Sequence, residues 1–214
     1  MIIQHIGHAE FLMETENGMR IVTDPYGEGC GYPVRKVKAD AALISHGHHD
    51  HNAVDTLEGL KMTVDREGVF TLAPGIRVTA LKGFHDDARG SKRGETLLFL
   101  LETDSLRIVH LGDLGCMPDE EQIRQLARPD VLMIPVGGFY TIDGKTAREV
   151  SERLQPRMIL PMHYKTAYNA EWPIHGPEDF LEGIPENEVR RGIEILRVTA
   201  KDLECQPRVA LFKA

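Results

Sequence analysis

Ser45-His46-Gly47-His48-His49-Asp50-His51 follows directly on the short apolar run Ala41-Ala42-Leu43-Ile44. An apolar stretch of this length reads as a strand, and the polar, histidine-rich segment behind it cannot continue a core, so it leaves the strand end as a loop. In an extended loop, residues two apart point the same way. His46 and His48 therefore offer their imidazoles to one position, while Asp50 and His51 face a neighbouring one. Neutral imidazole and carboxylate are ligands that borderline cations such as Zn, Mn, Fe or Ni accept. The loop reads as two adjacent half-sites for divalent cations, and the density of ligand types is hard to reconcile with a merely solvated turn.

A two-metal centre needs ligands beyond one loop, and three candidates stand behind other apolar runs. His85 follows Ile76 to Phe84, Asp113 follows Leu106 to Gly112, and His163 follows Met158 to Met162. Taken singly, each is an ordinary strand-end residue. Joined to the first loop, they complete two coordination spheres: three histidines at one cation, two histidines with Asp50 at the other, and the carboxylate of Asp113 between them.

The runs that carry these residues also set the architecture. Ile2 to Ile6 and Glu10 to Glu14 read as extended, and Asn17-Gly18 is a hairpin signal leading into Met19 to Thr23. Further strands are expected at Ala41 to Ile44, Ile76 to Leu81, Thr96 to Glu102, Leu106 to Leu111, Val131 to Pro135, Met158 to Pro161, Ile193 to Val198 and Val209 to Phe212. Helical patterns cover Pro118 to Leu126, Thr146 to Leu154 and Pro177 to Leu181. Strands that first pair as hairpins and later alternate with helices predict mixed sheets covered by helices. Two irregular segments interrupt them, the glycine-rich Tyr26 to Lys38 and the charged Asp86 to Gly94.

Composition narrows the function further. The 214 residues suit one domain with a substantial core, and we expect residues 1–214 to form it. The first residues have neither the basic start nor the apolar run of a secretory signal, and no stretch reaches the length of a membrane span. With a net charge of -8, the chain lacks the general attraction that nucleic-acid binders use. Cys30, Cys116 and Cys205 are odd in number and form no Cys-x-x-Cys pair, which suits free thiols in a reducing compartment. The expectation is a soluble cytoplasmic protein acting on a small molecule, with neither nucleic acid nor membrane as partner.

The chain resembles the metallo-β-lactamase superfamily, and within it the metal-dependent hydrolases that include ascorbate-6-phosphate lactonases. The resemblance spans nearly the whole chain. It runs through Gly7-His8-Ala9, Thr23-Asp24-Pro25, the His46 to His51 motif, Gly83-Phe84-His85-Asp86, His110-Leu111-Gly112-Asp113 and Pro161-Met162-His163-Tyr164. It implies an α/β (α+β) fold, a four-layer αββα sandwich with the site at one edge between the sheets. Residue by residue, it implies His46, His48 and His85 at the first metal, Asp50, His51 and His163 at the second, and Asp113 as the bridge. It also implies that Asp24 accepts a hydrogen bond from a ligand histidine and fixes its tautomer. His8 and His110 are candidates to donate to a ligand carboxylate or to substrate, and His110 is counted with Asp50 and Asp113 among the catalytic groups.

The expected chemistry follows from two divalent cations, zinc first and Mn, Ni or Fe as alternatives. A water held between two such cations loses its proton near neutral pH and supplies hydroxide for ester, lactone or phosphoester hydrolysis, with Asp50 steering it or taking its proton. The loop after His85 carries Arg89, Lys92 and Arg93, which could anchor a phosphate or carboxylate. Tyr164, beside His163, joins them as a substrate-binding candidate. Two other readings use the same ligands: an iron-dependent redox enzyme, for which no second cofactor motif stands in the sequence, and a non-catalytic metal-dependent binding or regulatory protein.

Overall fold

The computed structural model describes residues 1–204 and 206–213. Cys205, expected as a free thiol, lies outside the described residues. Two sheets face each other. One has six strands in the order Leu196–Arg197, Ile2–Gly7, Glu10–Glu14, Arg20–Thr23, Ala41–Leu43 and Met62–Val64. The other has eight, in the order Val189–Ile193, Val209–Phe212, Met158–Met162, Val131–Pro135, Leu106–His110, Glu95–Thr103, Ile76–Phe84 and Gly68–Ala73.

Period-two alternation decides which side chains meet between the sheets. From the six-stranded sheet, Phe11, Met13, Ile21 and Leu43 enter a core shared with Val78, Phe99, Leu101, Ile108, Met133 and Leu160 of the other sheet. The outer face of the eight-stranded sheet is apolar too. Leu98, Leu100, Val109, Leu132 and Ile159 pack under Ile123 and Leu126 of helix Glu120–Leu126 and under Ala147, Val150 and Leu154 of helix Gly144–Leu154. Burial on both faces explains why Val131 to Pro135 reads as an unbroken apolar run. Asp119 and Asp143 cap the two helices by accepting the N–H of Gln122 and Thr146.

The α/β sandwich is thus as expected, with two differences of detail. The outer face of the six-stranded sheet is covered by the paired segments Val37–Lys38 and Leu57–Glu58, whose Val37 and Leu57 pack on Leu12, Val22 and Ala42. Among the described residues, no α-helix packs into that layer. The run expected as one strand over Ile193 to Val198 is divided. Val189–Ile193 pairs with Val209–Phe212 in one sheet, and Leu196–Arg197 pairs with Ile2 and Ile3 in the other. No helix among the described residues is long and apolar enough to cross a membrane.

What positions the site is the parallel part of each sheet. Leu106–His110, Val131–Pro135 and Met158–Met162 run parallel, as do Arg20–Thr23 and Ala41–Leu43, so their C-terminal ends gather at common edges. Backbone hydrogen bonds tie the two edges together: Leu97 N–H to Ser45 O at 2.8 Å, and His163 N–H to His8 O at 3.1 Å. Gly112 takes a positive φ of 50° at this seam, and a Cβ there would stand 2.6 Å from Thr96 Oγ1 and 2.7 Å from Ser45 Cβ.

Candidate metal centre

All seven residues expected as ligands arrive at this seam from four strand ends. Their donor atoms form overlapping groups within 4.8 Å: His46, His48 and His85; His46, His51 and Asp113; and His8, Asp50, His51 and His163. Asp113 is the hub. Its Oδ2 lies 3.2 Å from Nε2 of His163, 3.3 Å from Nε2 of both His51 and His85, and 3.9 Å from Nε2 of His46. Burial alone would raise the Asp113 carboxyl, but the facing imidazoles outweigh it and hold the group well below the carboxylate range.

The atoms fit a cation better than they fit one another. Nε2 of His8 and Nε2 of His51 stand 3.2 Å apart, and Nε2 of His46 stands 2.9 Å from Nδ1 of His48. Ring nitrogens this close must share a proton or a cation. Oδ1 of Asp113 is buried with no hydrogen-bond partner among the described residues. A set of imidazoles and carboxylates without a thiol matches Zn, Mn, Fe or Ni.

Outside the donors lies a supporting set. Asp24 Oδ2 is 3.0 Å from Nδ1 of His51, and its Oδ1 accepts the Ser45 N–H at 2.7 Å. Ser45 Oγ in turn donates to Asp24 Oδ2 at 2.7 Å and stands 2.9 Å from Nδ1 of His46. One fully buried carboxylate therefore orients a histidine of each half. Burial raises the Asp24 carboxyl, while the charge and hydrogen bond of His51 pull it further the other way, below the usual value. His8, Asp24 and His163 all hold left-handed backbone, at φ 54°, 40° and 51°. For non-glycine residues that costs energy, and such strain gathers where side chains must be aimed.

His8 lies closer to the donors than a remote supporting role requires. Its Nε2 is 3.3 Å from Asp50 Oδ2 and places it in the same donor group. His110 is held by the backbone. Its Nε2 meets Ala9 O at 3.1 Å and its Nδ1 accepts the Gly112 N–H at 3.1 Å, so both nitrogens face backbone in this structure. Tyr164, 8% exposed, packs in the apolar cluster beneath the helices, and it is not among the residues lining the cavity beside the donors. Burial pushes that phenol up to about 12.

Beside the donors opens a cavity of about 390 Å³ lined by His48, His49, Asp50, His85, Lys92, Arg93, Asp113, Tyr140, His163 and Trp172. Lys92 and Arg93 reach it, whereas Arg89 is exposed on the loop and does not line it. Tyr140 and Trp172 were not among the candidates. The available signals were Gly137-Gly138-Phe139-Tyr140 just past a buried strand and the one tryptophan of the chain set in Glu171-Trp172-Pro173. Neither points to a ligand in the way a histidine string does.

Residues 2–163 match the family model described as a beta-lactamase superfamily domain. A UPF0173 metal-dependent hydrolase of Archaeoglobus fulgidus is 31% identical, over 86% of this chain and 90% of its own length. A Thermotoga maritima crystal structure, assigned as a zinc-dependent hydrolase of the metallo-β-lactamase superfamily, is 33% identical with a TM-score of 0.78. It covers 99% of this chain and 97% of its own. A metallo hydrolase from Ignicoccus hospitalis, 23% identical with a TM-score of 0.66 over 86% of this chain and 89% of its own, shares the fold.

Proposed function

We propose, since the chain belongs to the metallo-β-lactamase superfamily and within it to the UPF0173 metal-dependent hydrolases, that the cluster holds two divalent cations and that the protein cleaves an ester, lactone or phosphoester bond in a small substrate. The observation that carries this reading is Asp113, whose one oxygen faces histidines of both donor groups and joins them into one centre. His46, His48 and His85 would hold one cation, Asp50, His51 and His163 the other, and Asp113 both. Bound there, the cations would supply a hydroxide nucleophile near neutral pH and polarise the substrate oxygen. Zinc is the first candidate on donor chemistry, with Mn, Ni and Fe next.

The protein's own groups then divide the work. Asp50 lines the cavity with His8 beside its Oδ2, which leaves Oδ1 to steer the attacking water and receive its proton. Asp24 and Ser45 hold the rings of His51 and His46 in the required tautomers. The size of the cavity and the charge of -8 favour a small molecule over nucleic acid. A lactone is among the candidates on the sequence resemblance to ascorbate-6-phosphate lactonases. We take residues 1–214 as one hydrolase domain working in the cytoplasm.

The test is a panel of lactones, carboxylic esters and phosphate mono- and diesters, run with protein reconstituted in Zn, Mn, Ni or Fe and with metal content measured in each sample. Turnover that needs about two metal equivalents and disappears on chelation is the expected result. Full metal loading with no turnover across the panel would favour the non-catalytic binding reading, and an iron-specific absorption band with redox turnover would favour the iron-dependent redox one.

A further inference from the structure

One wall of the cavity is a file of aromatic side chains in edge-on contact that starts at the donor cluster and ends on a cation. Trp172 meets His8 edge-on, with ring centroids 5.3 Å apart, and lies 6.5 Å from the ring of His163. Tyr140 packs edge-on against Trp172 at 6.0 Å. Beyond it, the guanidinium carbon of Arg93 lies 5.5 Å from the Tyr140 ring centre and 5.8 Å from that of Phe139. Cation–π attraction of this kind holds a guanidinium beside the rings and leaves its N–H groups available to an anion.

Two facts separate Arg93 from an ordinary surface charge. Lys92, its neighbour, is already paired with Asp87 at 2.6 Å, whereas no carboxylate among the described residues pairs with Arg93. The loop that carries it is also built around a buried carboxylate. Asp86 Oδ1 accepts the N–H of Ala88 at 2.8 Å and of Gly90 at 2.9 Å, while Oδ2 accepts those of Lys92 at 2.9 Å and Arg93 at 2.7 Å. The charged segment is thus folded on itself and presents Arg93 from a fixed base. Asp86 thereby positions the arginine.

We propose that the substrate is a small anion with a planar, unsaturated or aromatic body, its carboxylate or phosphate taken by Arg93 and its flat face laid against Trp172 and Tyr140, so that the bond to be cut lies at the donor cluster. This rests on the hydrolase reading and adds a substrate class to it. A cavity of about 390 Å³ suits a ligand of one or two rings. A guanidinium held this way contributes charge-assisted hydrogen bonds, whose loss weakens binding by roughly ten- to a hundredfold.

Trp172 is the chain's one tryptophan, so its fluorescence reports on this wall alone. Metal-loaded protein and its Arg93→Gln variant would be titrated with benzoate, phenyl phosphate, cyclohexanecarboxylate and neutral benzyl alcohol. The expected result is saturable change with benzoate or phenyl phosphate, weakened about tenfold or more in the variant, with benzyl alcohol weak and equal in both proteins. The tighter of the two anions identifies the anionic group. An Arg93→Gln variant that binds both anions within twofold of the unmodified protein overturns the anchor, as does the absence of any saturable change. Cyclohexanecarboxylate binding as tightly as benzoate overturns the planar body. Metal analysis of the same samples keeps the two proposals apart, because a protein that takes up no metal sinks the hydrolase reading while the same titrations, run without metal, still decide on Arg93.

Discussion

The two halves of the donor cluster are built on different terms. His51 and His163, at 0% and 2% exposure, lie beneath the seam between the sheets, with Asp24 behind the first of them. In the other half, His85 is buried, but His48 is exposed on the loop, where its ring meets those of His46 and His85. Burial with a fixed carboxylate behind the ring preorganises a ligand, whereas an exposed ring must lose side-chain freedom when a cation binds. The buried half should therefore bind first and hold longer, and the open half should exchange.

The sharpest probe is Asp50, which belongs to the buried half yet faces the cavity. Asp50→Asn keeps the shape and removes the carboxylate that would handle the proton. Turnover should fall by about 10² to 10⁴ while the far-ultraviolet circular dichroism spectrum stays the same, since the residue stands on a loop outside the core. Metal content measured alongside shows whether ligation was also lost. Unchanged turnover at full loading would remove Asp50 from the chemistry and leave the buried half a purely structural site.

A less severe change separates the halves directly. Asp24→Asn leaves every donor in place but weakens the support of His51, so affinity of the buried half should fall about 10- to 100-fold in a chelator competition. The open half should change less, because Ser45 Oγ still reaches His46 Nδ1. Equal loss at both halves would mean that Asp24 serves the seam as a whole. The complementary variant, His48→Asn, should erase the weaker binding step and leave the tighter one within a fewfold of the original. Two indistinguishable steps in the unmodified protein would break the comparison outright.

How legible these features were depends on how local their cause is. The histidine string, the strands behind it and the apolar face of helix Gly144–Leu154 are each decided within a dozen neighbouring residues, and they were readable. Gly68–Ala73 was not expected as a strand, because it lies at a sheet edge with half-exposed side chains and so lacks an alternating pattern. The division of Ile193 to Val198 between two sheets follows from where the partners Ile2 and Val209–Phe212 lie, which the segment itself cannot reveal. The cavity wall is the extreme case. Arg93, Phe139, Tyr140 and Trp172 converge from three loops, and only tertiary folding gives their types a meaning.

The effect most remote from the chemistry concerns the ground behind the buried half. Glu10 is 2% exposed, with Oε2 accepting the Tyr26 N–H at 3.2 Å and Oε1 without a partner. Burial is the main reason that its carboxyl is pushed up from 4.5 to about 8; the Tyr26 N–H opposes the rise and the charge of Asp24 adds to it. In the unfolded chain this proton leaves near 4.5, but in the folded chain it stays until about 8. Between those values the native state holds more protons than the unfolded state, so the contribution of Glu10 is fully present below the lower value and is lost as pH rises through the upper one. The slope is at most about 1.4 kcal/mol per pH unit. Glu10→Gln removes this term and keeps the shape, so the stability of the unmodified protein minus that of the variant, from urea unfolding at each pH, should fall across the window and stay flat below it. Histidines buried in the neutral form act with the opposite sign in both proteins and cancel in the difference. Parallel profiles would mean that Glu10 is ionised in the native state, which would place a second buried negative charge near Asp24 and make the buried half still more favourable to a cation than its ligands alone suggest.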